Sequence, residues 1–300
     1  MKLAIITINY NGSESTVKLL RSLAEQTSKD FEVIVIDNAS EETDFNNLKN
    51  HCATLGVAQV KLIRNGQNLG FSGGNNVGIK KALEMEAEWV LLLNNDTWVE
   101  PGFIASIKAI LAQKQGIVGV PLDEGEHTAY AGKVQWLKPT LRHVYSIKYL
   151  VSSMDTKYKI QNTKYYVIGG GMLIHKNVFE KIGLLNEKYF LYFEDADFCV
   201  RARKANIPIS IADNVMIHHN VSATTKKLGA PLLLRYHYRN ALYFNLKNGS
   251  WYIKLLVWPW SWVVLLKQAI KIMMNHKKEQ SLAILSGVLD FYKNRMGRIK

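Results

Sequence analysis

Up to Asp96 the chain alternates between short, almost uninterrupted apolar runs and stretches whose apolar positions fall at helical spacing. LAIITINY, residues 3–10, reads as a buried strand and stops at the Asn11-Gly12 turn signal. Behind it, Val17, Leu19, Leu20 and Leu23 mark one face of a helix. FEVIVIDN, QVKLIRN and EWVLLLNND predict three further strands with helical stretches between them. Apolar strands separated by helices predict a Rossmann-like α/β fold, with a mainly parallel central sheet covered on both faces. Ligands of such sheets bind beyond the carboxyl ends of the strands. That rule selects Asn9 to Asn11, Asp37, Asn65 to Gly74 and Asn94 to Asp96.

After Pro121 the alternation fades. AYAGKVQWLKP and RHVYSIKYLV predict the strands of a hairpin or flap, and KYYVIGGGMLIHK a strand with a glycine break. FEDADFCVRARKAN turns helical, PISIADNVMIHHN returns as one strand, and helical patterns dominate from Leu228 onward. The expected division is a catalytic domain over 1–227 and a helical region over 228–300.

Charge separates the same two regions. Of the net charge of +13, the stretch from Arg235 to the end carries +10, twelve Lys and Arg against Glu279 and Asp290. The front is therefore nearly balanced, and the back is a basic surface suited to an anionic partner. Cys52 and Cys199 match neither a disulfide framework nor a paired metal spacing, which fits a reducing compartment. The apolar run at the N-terminus is too short for a signal-peptide core and reads as the first strand.

Five groups of residues could carry chemistry. A strand ending in Asn94-Asn95-Asp96 exposes a carboxylate where a hard cation could sit beside a diphosphate, although loop carboxylates commonly just cap helices. Glu194-Asp195-Ala196-Asp197 follows the aromatic run Tyr189, Phe190, Tyr192 and Phe193. The helix dipole explains acids in a first turn; the aromatic wall additionally desolvates them and suits a general base. His218 closes a late strand and would meet the same cation as Asp96 if that strand returns beside it; a lone strand histidine is otherwise structural. Asp37 is either a turn residue or a carboxylate able to accept the imino hydrogen of uracil or thymine. The Asn68 to Asn76 loop lets backbone approach a ligand closely, but its glycine spacing and position are not those of the dinucleotide fingerprint, which excludes the common oxidoreductase reading.

Taken in order, IITINYNG, VIVIDNAS, NGQNLGFSGGNN, LLLNNDTWVEPGF, GGGMLIHKNVFEKIGLLNEKYFLYFEDADFCVRARKAN and IHHNVSATT resemble the family 2 inverting glycosyltransferases, especially the bacterial rhamnosyltransferases of cell-surface polysaccharide assembly. The resemblance covers roughly three quarters of the chain, from Leu3 to Thr225. It implies an A-type glycosyltransferase fold with a C-terminal helical, membrane-associating extension. It also implies transfer of rhamnose or a similar hexose from a dTDP- or UDP-sugar to a hydroxyl of a lipid-linked saccharide, with Mn²⁺ or Mg²⁺. Carried over, Asp195 resembles the base, and Asp96 and His218 the metal ligands. Asn9, Asn11, Asp37, Asn68, Gly70, Gly73, Asn76, Asn94, Asn95 and Asp96 fall on the donor side, with Asp37 at the nucleobase. Gly170, Gly171, Met172, Glu194, Asp197 and Arg239, the last within the Tyr236 to Asn240 stretch, border the acceptor. One position departs from the family: the metal motif begins with Asn94 instead of Asp.

The most apolar stretch is WYIKLLVWPWSWVVLLKQAIKIMM. Lys254 and Lys267 bracket a run shorter than the ~20 residues a bilayer requires, and Pro259 is expected to interrupt it. Tryptophans among lysines suit the headgroup interface, so the expected location is cytoplasmic, peripheral at the inner face of the membrane. Nucleic acid is disfavoured because no binding module accompanies the basic tail. The remaining rival is a sugar-nucleotide or lipid-binding module without turnover.

Overall fold

The computed structural model describes residues 1–54, 60–146, 164–212, 214–219 and 230–299. β1 (Leu3–Asn9), β2 (Glu32–Asp37), β3 (Val60–Arg64) and β4 (Trp89–Leu93) are parallel in the order β4-β1-β2-β3. Between them run α1 (Ser13–Ala24), α2 (Glu42–Thr54) and α3 (Gly70–Glu84). Alternation along β1 assigns the two faces. Leu3 and Ile5 pack with Leu19, Leu20 and Leu23 of α1, whereas Ala4 and Ile6 pack with Ile79 and Ala82 of α3. Each fully buried aliphatic side chain contributes about 1.5–3 kcal/mol, so the core is sealed on both faces.

β5 (Thr97–Trp98), α4 (Phe103–Leu111), β6 (Ile117–Gly119), β7 (Leu122–Asp123), β8 (Thr128–Ala129), β9 (Ala131–Lys133), β10 (Arg142–Val144) and β11 (Tyr165–Tyr166) follow. Then come β12 (Gly171–His175), α5 (Lys176–Ile182), α6 (Glu194–Lys204), β13 (Ile209–Ile211) and β14 (Ile217–His219). The central sheet grows to seven strands, β13-β6-β12-β4-β1-β2-β3, with β12 antiparallel to both neighbours. β9 and β10 form the expected antiparallel pair, joined by β11.

PISIADNVMIHHN departs from its prediction as one strand. Ile209–Ile211 edges the central sheet, and Ile217–His219 enters a separate sheet ordered β5-β14-β7-β8. The Ala212 amide closes the first part on Gly119 O and the Ile217 amide opens the second on Pro121 O. The glycine break likewise divides KYYVIGGGMLIHK between β11 and β12. Residues 147–151 of the predicted flap and 220–225 of the last family motif lie outside the described residues.

The C-terminal region forms α7 (Ala230–Asn248), α8 (Trp251–Met273) and α9 (Lys278–Tyr292). Ala241 and Phe244 of α7 enter the main core, while Leu242, Val257, Ile284, Val288 and Phe291 tie the three helices together. The expected break at Pro259 does not occur: α8 runs through it for 23 residues. An internal proline costs about 3 kcal/mol or more, which packing against α7 and α9 offsets. By length and composition, α8 is the one helix among the described residues that could cross a membrane, and only 22% of its most apolar window is buried.

The polarity of α8 is inverted. Its inward face holds Ser261 and Gln268 with Ile253, Val257 and Val264, and Ser261 Oγ lies 2.6 Å from Tyr292 Oη. Its outward face carries Trp251, Tyr252, Leu255, Trp262, Val263, Leu266 and Ile270, all exposed. At 100° per residue, Lys254 and Lys267 fall on opposite margins of that apolar face.

Candidate active site

Beneath the carboxyl ends of β1 and β2 lies a buried polar network. Asn9 Nδ2 donates to Asp37 Oδ1, Ser40 Oγ and Asp44 Oδ2 at 3.0, 3.0 and 2.8 Å, and Asn9 Oδ1 accepts from Thr16 Oγ1 at 2.9 Å. Thr16 Oγ1 in turn accepts from Asn95 Nδ2 at 3.0 Å, so the exits of β1, β2 and β4 are one hydrogen-bonded unit. Asp44 also accepts from the Ser13 amide, and although burial works against the charge, its bonds to Asn9 and Ser13 hold its pKa below the ordinary value. Asp37 is fully enclosed, accepting from Asn9 and from the Ser40 amide with Arg64 3.6 Å away. Asn9 and Asp37, expected on the donor side, are thus tied into the fold, and this pairing offsets the cost of enclosing the Asp37 carboxylate.

The glycine-rich loop is built the same way. Asn68 Oδ1 accepts from Gly70 N at 2.8 Å and from Asn38 Nδ2 at 3.1 Å, and Asn11 Oδ1 accepts from Glu41 N at 2.8 Å. Gly70 has φ +71°, and a methyl group there would collide with Phe190. Gly73 lies too close to Leu69 for a side chain. Asn76, expected on the donor side, is bonded through its amide to Leu185 O, Leu185 N and Glu187 Oε1, which locks α3 to a distant loop.

At the exit of β4 the structure reassigns a histidine. β14 runs antiparallel to β5, with His219 opposite Thr97 and His218 opposite Trp98. His219 Nε2 is 3.3 Å from Asp96 Oδ1. His218 points away: Nδ1 is 2.9 Å from Asp123 Oδ2, Nε2 3.5 Å from Glu100 Oε1, and its ring stacks on Trp98 at 3.8 Å. Adjacent strand residues face opposite sides, so only one imidazole can meet Asp96. Burial disfavours a charged His219, yet the hydrogen bond to Asp96 and its charge, with Glu124 3.9 Å from Nδ1, raise its pKa above the ordinary histidine value.

Among the described residues, no group of three or more His, Cys, Asp or Glu side chains is arranged to hold a metal ion. Asp96 and His219 nonetheless fit one, because Mg²⁺ and Mn²⁺ commonly take one or two protein ligands and complete their shell with substrate phosphates and water. The other side of Asp96 opens on a cavity of about 310 Å³ lined by Lys18, Arg21, Ser15, Thr97 and Trp98, among others.

Asp195 approaches β4 through two consecutive glycines. Its Oδ2 accepts from Gly169 N at 3.1 Å and its Oδ1 from Ala196 N at 2.7 Å. Gly170 O accepts from Asn94 N at 3.3 Å, and a Cβ on Gly170 would stand 2.7 Å from Asn94 Nδ2. A side chain at 170 would therefore displace Asn94, and one at 169 would crowd the Phe71 ring. Burial raises the Asp195 pKa to about 6 against the pull of the Gly169 and Ala196 amides. Glu194 is more deeply buried, its Oε2 has no hydrogen-bond partner, and burial together with the Asp195 charge pushes its pKa well above the ordinary value.

The remaining residues expected on the acceptor side are enclosed in the fold. Met172 lies in the core, and Gly171 packs under Val120 O and Ile217. Asp197 is fully buried among Arg201 Nε at 2.8 Å, Lys247 Nζ at 3.0 Å, Asn248 Nδ2 at 2.7 Å and Tyr189 Oη at 3.2 Å. Arg239 is buried and bonds Asn240 and the Tyr189 and Arg295 carbonyls. Asp197 and Arg239 thereby tie α6 and α7 to the surrounding scaffold.

The chain matches the model of "Glycosyl transferase family 2" over residues 4–183, well over half its length. It belongs to glycosyltransferase family 2. The low-salt glycan biosynthesis hexosyltransferase Agl10 of Haloferax volcanii is 28% identical, over 99% of this chain and 92% of that protein. The dTDP-rhamnosyl transferase RfbF of Shigella flexneri is 24% identical over 94% of both. The N-acetylglucosaminyl-diphospho-decaprenol L-rhamnosyltransferase of Mycobacterium tuberculosis is 21% identical, over 85% of this chain and 88% of that protein. Among solved structures, the mannosyltransferase PcManGT of Pyrobaculum calidifontis, in complex with GDP-Man and Mn²⁺, superposes with a TM-score of 0.58 at 13% identity, over 98% of this chain and 87% of that one. The fold is the A-type glycosyltransferase fold, with helices added at the C-terminus.

Proposed function

We propose that this family 2 glycosyltransferase is inverting and non-processive, and moves rhamnose or a similar hexose from a dTDP- or UDP-sugar to a hydroxyl of a lipid-linked saccharide. The observation that carries the proposal is the half-buried Asp195 carboxylate, tied to Gly169 and facing the β4 exit, with a pKa near 6. A base poised near the working pH is what proton removal from a sugar hydroxyl needs. Asp195 takes that proton as the acceptor oxygen attacks the anomeric carbon, and the bond from that carbon to the diphosphate breaks. With one base and no enzymic nucleophile, a single displacement inverts the centre.

Asp96 and His219 would hold Mn²⁺ or Mg²⁺, which when bound offsets negative charge on the leaving diphosphate. Asn94, beside Gly170, would hydrogen-bond the sugar or ribose. The names of the Shigella and mycobacterial relatives support a dTDP-rhamnose donor and a polyprenyl diphosphate acceptor.

The domain assignment follows: 1–227 catalytic, and 228–300 a basic aromatic region that rests on an anionic membrane at its cytoplasmic face. The outward face of α8, apolar between Lys254 and Lys267, supports this partner. The buried Ser261 and Gln268 and the packing on α7 and α9 favour a helix lying in the interface over one that spans it.

A thermal-shift panel of nucleotide sugars, with and without Mn²⁺, tests the donor, since a ligand bound only by the folded state raises its melting temperature. Product analysis then tests transfer. A donor that stabilises the fold while no acceptor is ever glycosylated would leave a binding module and sink the proposal.

A further inference from the structure

The loop entering α6 hands four consecutive carbonyls to donors outside itself. Phe190 O accepts from Phe71 N, at the start of α3, at 2.7 Å. Tyr189 O, Leu191 O and Tyr192 O all accept from the one Nδ2 of Asn240 on α7, at 3.0, 2.7 and 3.1 Å. Arg239 Nη2 adds a bond to Tyr189 O at 3.2 Å, and Arg239 Nε donates to Asn240 Oδ1 at 3.0 Å. That last bond fixes which way the amide faces, leaving its NH₂ toward the loop. Both side chains are buried. The same helix turn stacks Tyr236 on Phe190 at 5.6 Å and His237 on Tyr192 at 4.3 Å.

The loop needs such a clamp. Phe190, Tyr192 and Phe193 have φ of 65°, 68° and 76°, a left-handed conformation that bulky residues avoid. Backbone of this kind persists only where its surroundings over-determine it. Here the surroundings are the glycine-rich loop on one side and Asn240 on the other. The strained stretch ends at Phe193, two residues before Asp195.

We infer that Asn240, oriented by Arg239, is a positioning residue for transfer: its amide holds the 189–192 backbone in the conformation that aims Asp195 at the acceptor hydroxyl. The inference rests on the reading of Asp195 as the base. Asn240 touches no substrate; it acts by setting where the carboxylate stands relative to Gly169 and the β4 exit.

Two variants test it, each measured for melting temperature, nucleotide affinity, KM and kcat. Asn240→Ala removes the three bonds. His237→Leu removes the stack under Tyr192 and costs Nδ1 no hydrogen bond, since that atom is buried without a partner. Displacement of a reacting group by about 1 Å costs on the order of 100-fold. The expected result is therefore a kcat reduced by about 100-fold in Asn240→Ala and by less in His237→Leu, with donor KM and nucleotide affinity within about threefold of the parent. Should Asn240→Ala fail to fold, the lowered kcat of His237→Leu carries the test alone. Parent-like kcat in His237→Leu and in any folded Asn240→Ala, while Asp195→Asn is inactive, would overturn the inference. Transfer that survives Asp195→Asn would instead overturn the base assignment beneath it.

Discussion

His219 Nε2 stands 3.3 Å from Asp96 Oδ1, while the neighbouring His218 is turned to Asp123 and Trp98. The two imidazoles therefore make opposite predictions. His219→Ala should abolish the melting-temperature rise given by Mn²⁺ with nucleoside diphosphate, and His218→Ala should retain it. Glu124 lies behind His219 and is held by His143 at 2.9 Å. At 3.9 Å Glu124 makes no hydrogen bond to Nδ1 and acts on the ring by its charge alone, so Glu124→Ala should weaken metal binding less than His219→Ala does, which calorimetry can measure. A parent-like metal response in His219→Ala would remove it from the site.

The raised pKa of Asp195 gives activity a pH signature. A base works when deprotonated, so kcat should be level above about pH 6 and fall about tenfold per unit below it. Asp195→Asn should keep nucleotide affinity and lose about 10²–10⁴-fold in turnover. Steady-state kinetics across pH 4.5 to 8, a range chosen to bracket about 6, check both. A profile with no acid limb would show that another group takes the proton.

Much of this arrangement was legible in the order of residues. Apolar runs ending in Asn9, Asp37 and Asn94-Asn95-Asp96 located the sheet and its carboxyl edge, because parallel strands covered on both faces read as near-continuous apolar runs. The place of Asp195 in the first turn of α6, behind an aromatic run, was legible from the acids there. The choice between His218 and His219 was not, since it depends on how β14 registers with β5, a pairing between residues far apart in the chain. Asn9, Asp37, Asn76, Asp197 and Arg239 carry the residue types of ligand contacts and are enclosed in hydrogen bonds of the scaffold, an enclosure that the order of residues does not show. The split of PISIADNVMIHHN was equally hidden, because both halves are apolar and only their partners differ.

Asp197 should prove structural. Its removal would leave Arg201 and Lys247 without their shared counter-charge and would strip hydrogen bonds from Asn248 and Tyr189. Breaking a buried ion pair costs about 3–5 kcal/mol, and partial exposure of both cations places the expected loss for Asp197→Ala near the lower end. Urea unfolding checks it; a loss under about 1 kcal/mol would show the cluster to be dispensable.

The outward face of α8 should decide membrane attachment. Trp262→Glu with Leu266→Glu places two acids among exposed apolar side chains without touching the inward face. The expected outcome is loss of flotation with anionic vesicles while the far-ultraviolet dichroism stays unchanged. Added salt should weaken flotation of the parent only in part, because screening acts on the lysines and not on buried apolar area. Equal flotation of parent and variant would direct the search to another surface.

The inverted helix also bears on where chemistry can happen. With its oily strip resting at a lipid boundary, the chain would diffuse in a plane together with a tethered sugar chain. Encounter would then depend on how many of each share a patch of bilayer, and no longer on their bulk concentrations.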